Sequence, residues 1–135
     1  MEYDYIEINP YNCLLYKSAH ISIIPLAYAI YSQKIGYSIS IGSVLCTSLI
    51  YWKNPKMGMR RNIDIAVVHA VLIYHSYSAI GTKYMYEHYC FNGLGILAYC
   101  LAWYFWHKNN VLASTLMHSL LHLLGNIANI YLISG

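Results

Sequence analysis

The chain is 135 residues long, 59% hydrophobic and only 10% charged, with a mean hydropathy of +0.41. That balance excludes an ordinary water-soluble domain, which carries about 25% charged residues to face solvent. The formal net charge of +3 is explained by where the cations fall along the chain and requires no nucleic-acid partner.

Residues 1–17 contain Glu2, Asp4 and Glu7 and lack the basic start and apolar run of a cleavable signal peptide, so this segment is read as cytoplasmic and interfacial. Five apolar stretches follow, at about 18–33, 36–52, 63–81, 89–106 and 111–133. Each is close to the ~20 residues that a helix needs to cross hydrocarbon, the first two being the shortest. The expected fold is all-α: a polytopic membrane helix bundle of about five transmembrane helices, forming a single domain over 1–135. Pro25 predicts a kink in the first span. Gly36, Ser40, Ser43 and Thr47 share a face of the second span, and Asn92, Gly95, Ala98 and Ala102 share one on the fourth. Small residues of this kind let membrane helices approach closely. Between the second and third spans, Pro55 and Gly58 break helix while Lys53, Lys56, Arg60 and Arg61 suit headgroup phosphates.

Of sixteen tyrosines, many lie at span ends, among them Tyr11, Tyr16, Tyr31, Tyr37, Tyr51, Tyr84, Tyr86, Tyr89 and Tyr104. The pattern is that of an interfacial aromatic belt. Tyr28, Tyr74, Tyr77 and Tyr99 lie deeper and are expected to hydrogen-bond within the bundle. With the amino terminus inside, Lys17, Lys53, Lys56, Arg60, Arg61 and Lys108 are cytoplasmic and only Lys34 and Lys83 lie opposite, which favours amino terminus in and carboxyl terminus out. Cys13, Cys46, Cys90 and Cys100 show no CxxC spacing and are expected to pack as small apolar side chains.

The last span carries the most informative residues. His118 and His122 lie four apart, and imidazoles are costly in a membrane helix unless they are partnered. On a helical wheel, Ser114, Thr115, His118, His122, Gly125, Asn126 and Asn129 fall on one side and Leu116, Leu120, Leu123, Leu124, Ile127 and Ile130 on the other. Both histidines then point inward, about 6 Å apart along the axis. The third span starts with Asp64 and contains His69 and His75; counted from the cytoplasmic side, His69 is level with His118 and His75 with His122. Asp64 and His75 share a face, whereas His69 lies roughly 120–140° round the helix, and the choice between the two histidines stays open.

Two histidines at i, i+4 plus a third nitrogen would give a three-ligand zinc site with a fourth position for water, and a carboxylate such as Asp64 can take that water's proton. The same residues serve two other readings. Transmembrane histidines from different helices, His69 with His118 or His75 with His122, can ligate haem in a redox protein. A non-enzymatic transporter or assembly protein can use His and Asp64 for proton coupling or packing.

Thr47-Ser48-Leu49-Ile50-Tyr51-Trp52 at the end of one span, Asp64 at the start of the next and His118-Ser119-Leu120-Leu121-His122 in the last resemble the scattered signature of the CREST superfamily of membrane hydrolases. That superfamily includes alkaline ceramidases and the progestin and adiponectin receptors. The resemblance implies a zinc site built from SxxxH, an Asp and a terminal HxxxH, with Ser48, Asp64, His118 and His122 as the corresponding residues. This chain has Trp52 where the pattern has its histidine, which leaves His69 or His75 to complete the ligands, and about five helices where the family has seven. The implied activity is hydrolysis of a ceramide-like lipid amide entering from the bilayer, with Asp64 assisting the attacking water and Ser48 hydrogen-bonding the oxyanion. Membrane lipids are the expected partners, and a homo-oligomer is one way for so short a chain to enclose a lipid.

Overall fold

The computed structural model describes residues 9–56 and 58–135. Glu2, Asp4 and Glu7 of the expected interfacial segment lie outside the described residues. Among the described residues the fold is all-helical, with five helices in sequence: α1 (Asn12–Tyr31), α2 (Ile35–Lys53), α3 (Met59–Ser78), α4 (Met85–His107) and α5 (Val111–Ser134). Of these, α1, α2 and α5 are long and apolar enough to cross a membrane. At 20 and 23 residues, α3 and α4 match them in length. Arg60, Arg61 and Asp64 in α3, and the tyrosines and tryptophans of α4, lower their hydropathy even though such rings are at ease at a membrane interface.

Two helices begin earlier than the apolar pattern indicates. Helix α1 starts at Asn12, not near residue 18, because Leu15 and Ala19 pack with Tyr51 and Trp52 in a buried cluster that holds the extra turn in place. Helix α3 starts at Met59, one turn before residue 63, so the two arginines lie in its first turn. Within α1 the backbone tightens to a 3₁₀ turn over His20–Ser22 just ahead of Pro25. That is the local adjustment expected where proline removes a donor from the helical ladder.

Tight turns reverse the chain. Gly81 (φ +78°) and Asn109 (φ +57°) adopt the left-handed conformation just past α3 and α4, one by lacking a Cβ and the other as the residue type that best tolerates it. The Asn110 side chain then accepts a hydrogen bond from the Ala113 amide at 3.1 Å and caps α5.

Helix α5 packs against α1 and α4, while α2 packs against α1 and α3. The α4–α5 pair is the tightest, along a face of α4 that buries His88, Gly95, Ala98 and Ala102. A Cβ on Gly95 would sit 3.4 Å from the Leu121 Cδ1 and 3.8 Å from the Leu124 Cβ, so this position faces α5 directly and has room for a methyl group but not for a large side chain. On α2, a Cβ at Gly36 would collide with the Tyr74 hydroxyl. Large apolar side chains such as Ile24, Ile39, Ile73, Leu97 and Leu112 face outward. An exterior of this kind suits hydrocarbon. Cys13, Cys46, Cys90 and Cys100 are also exposed, which corrects the expectation that they pack inside, and Tyr77 likewise faces out.

Candidate intramembrane site

Residues scattered along the sequence meet at the end of the bundle where α2 stops and α3 starts. One turn into α3, Asp64 is buried, and its Oδ1 accepts hydrogen bonds from the Thr47 hydroxyl at 2.8 Å and the Ser48 hydroxyl at 2.7 Å. One turn further along α2 from Ser48, the Trp52 ring meets His118 edge-on, with centroids 5.2 Å apart. His118 also touches Tyr99 of α4 at 6.0 Å and His122 at 5.1 Å, both edge-on. The His122 Nδ1 is 2.8 Å from the Ser18 hydroxyl of α1. The i, i+4 pair is therefore half-buried and turned toward α1, α2 and α4, and Trp52 links it to the turn of α2 that carries Ser48 and its partner Asp64.

The other two candidate ligands lie elsewhere. His69 is exposed, and its Nδ1 bonds to the Ile65 carbonyl of its own helix at 2.7 Å. His75 is buried near the opposite end, bonded to Ser40 of α2 at 2.7 Å through Nε2 and to Asn129 of α5 at 2.9 Å through Nδ1. The earlier start of α3 contributes to this depth: counted from Met59 instead of residue 63, His75 lies more than a turn deeper than His122, within reach of Asn129 two turns beyond His122. Because Asn129 Oδ1 accepts, Nδ1 carries the proton and Nε2 takes the Ser40 hydroxyl. Both nitrogens of a neutral ring are then satisfied.

One buried imidazole escaped the sequence reading. His88, fully buried at the start of α4, is placed for its Nδ1 to donate to the Ala128 carbonyl of α5 at 2.9 Å and for its Nε2 to accept from Asn92 at 2.9 Å. The signal was present, since His88 continues the face of Asn92, Gly95, Ala98 and Ala102 by one turn. Ser18, Ser40 and Asn129 were equally silent as partners, because nothing in a sequence says which helix a hydroxyl or amide will meet.

A catalytic zinc site needs three converging protein donors and room for water. The donor set here does not fit. The nitrogen at position 52 is an indole N–H, which can donate a hydrogen bond but has no lone pair free to bind metal. His69 faces outward, and His75 has committed both nitrogens to other helices. Among the described residues no group of three or more His, Cys, Asp or Glu side chains is arranged to hold a metal ion. The proposed haem pairs fare no better geometrically, as His69 and His75 are turned away from the α5 histidines. What the site does offer is a carboxylate held by two hydroxyls beside a stack of aromatic and imidazole rings. Comparison with known proteins finds no matching family model, curated protein or solved structure.

Proposed function

We propose that this chain is a non-enzymatic, multi-pass membrane protein of the assembly type, in which buried His, Asp, Ser and Asn side chains lock five crossing helices into a fixed bundle. The observation that carries the reading is the commitment of His75 and His88 at both ring nitrogens, each linking its helix to α5. Lipid tails are as apolar as leucine, so helices in a bilayer gain little from burying apolar surface and associate through packing and interhelical hydrogen bonds. A network of satisfied polar groups is therefore what a rigid scaffold needs. The arrangement of Ser48, Asp64, His118 and His122 around Trp52 supports kinship with the ceramidase-like pattern at the level of packing, with the metal-binding nitrogen replaced by an aromatic ring. The distribution of six cations against two supports an amino terminus in the cytoplasm and a carboxyl terminus across the membrane.

A direct test incubates the purified protein in lipid–detergent micelles with zinc and a fluorescent ceramide. Fatty-acid release should equal that of the His118→Ala/His122→Ala double variant. Zinc-dependent release that disappears in both that variant and Asp64→Asn would replace the scaffold reading with the hydrolase.

A further inference from the structure

Many serine and threonine hydroxyls in this bundle bond within their own helix, and Ser48 and Ser114 bond to another helix; Ser119 does neither. Ser38, Ser43, Thr82, Thr115 and Ser134 each donate to a carbonyl three or four positions earlier in the chain. This is the usual resting place of a hydroxyl in a membrane helix. The Ser119 hydroxyl is buried and has no hydrogen-bond partner among the described residues. An unmet hydroxyl in an apolar setting is costly and calls for a ligand.

Ser119 lines a groove between α1 and α5, and rotation about its Cα–Cβ bond would turn the enclosed hydroxyl toward it. Its walls are Leu14, Lys17, Ser18 and Ile21 on one side and Leu116, Ser119, Leu120 and Leu123 on the other. Both sets follow i, i+3, i+4, i+7 spacing, so two matched stripes run along neighbouring helices for about 10 Å. The helices run in the same direction here, as the Asn9–Thr115 and Ser18–His122 contacts require. The groove has a volume of about 470 Å³ and is open on its outer side. Among the described residues, Lys17 is its one charged wall residue. A lysine one turn inside a membrane helix extends its ammonium toward the headgroup layer while its methylenes stay in hydrocarbon.

We propose that this groove binds one anionic glycerophospholipid, with its phosphate on Lys17, an ester carbonyl accepting from the Ser119 hydroxyl and an acyl chain along Leu120, Leu123 and Ile21. Three features argue for this occupant together: a cation at the mouth, an unused donor one step deeper and apolar walls beyond. The site rests on the membrane location of α1 and α5 and is independent of whether the histidines hold metal.

Native mass spectrometry of the full chain in detergent, with phosphatidylglycerol and phosphatidylcholine of identical acyl chains, tests the assignment. One phosphatidylglycerol per chain should be retained about fivefold over phosphatidylcholine, the discrimination expected of a single lysine near an anionic headgroup. Lys17→Gln should abolish the preference, while Lys34→Gln, at the other end of the bundle, should leave it. Ser119→Ala should weaken retention of both lipids, and Leu116→Trp should block the groove to both. Unchanged circular dichroism and elution volume establish that Lys17→Gln and Ser119→Ala are folded, and these two decide the matter should the tryptophan variant misfold. Equal retention of the two lipids by the wild type, a preference that survives Lys17→Gln, or a dimer that shields the groove in place of lipid would overturn it.

Discussion

Seven histidines in one membrane-competent chain divide by what their ring nitrogens meet. His20, His69 and His107 bond only to the carbonyl four residues back, a contact that stays within one helix. His75, His88 and His122 reach across to other helices, and His118 is held by the rings of Trp52, Tyr99 and His122. Substitution should reproduce this division. His75→Leu leaves the Ser40 and Asn129 groups facing an apolar side chain and should cost about 1–3 kcal/mol of bundle stability, whereas His69→Leu should be close to neutral. Ser40→Ala removes one interhelical bond and should cost roughly 0.6 kcal/mol, with about 1.7 as an upper bound. Thermal or SDS unfolding of the three variants beside the wild type measures the order. Position 52 gives a second residue-scale prediction. Trp52→His puts an imidazole against His118 and should raise zinc uptake in equilibrium dialysis from a trace towards one ion per chain. No gain would mean that the neighbourhood cannot close round a metal even with the third nitrogen restored. Of this site, the inward pair His118 and His122 was legible from wheel position, whereas Ser48 was singled out only through the family resemblance and its bond to Asp64 was not foreseen. His88 was not, because it falls just outside the apolar stretch that drew attention to the fourth helix.

At the scale of helices, packing replaces hydrophobicity as the organising quantity. Gly95 lies where α4 meets α5, while Gly93, two positions away, would place a Cβ in open space. Gly95→Leu should therefore loosen the α4–α5 pair and lower the unfolding midpoint. Gly93→Leu should be tolerated, and equal effects would refute the assigned contact face. Asn110→Ala removes the cap of α5 and should cost about 1 kcal/mol in the same assay. Helix number, order and the small-residue face of α4 could all be read from the sequence, since a bilayer imposes length and composition on whatever crosses it. The starts of α1 and α3 could not. Lys17, Arg60 and Arg61 look like loop residues to any reading by charge, and cations in a first turn oppose the helix dipole. Tertiary contacts reverse the local preference: the Leu15–Trp52 cluster anchors the first turns of α1, and the Thr47 and Ser48 bonds to Asp64 anchor those of α3.

For the whole molecule the claim is a bundle whose exterior is apolar and whose interior is tied together by a few polar contacts between helices, at His75, His88, His122 and Asp64. Cations on the α1, α2–α3 and α4–α5 ends outnumber those on the other side, which sets the predicted orientation. A glycosylation acceptor appended after Gly135 should be modified in microsomes, and one appended before Met1 should remain unmodified. The reverse pattern would invert the topology and place Lys17 and its groove in the opposite leaflet. The most direct test of the central claim, that these imidazoles join helices and do not hold a catalytic metal, is elemental analysis of the detergent-purified wild type beside the His118→Ala/His122→Ala double variant. The account predicts zinc far below one ion per chain and equal in the two proteins; one ion per wild-type chain, lost in the double variant, would contradict it.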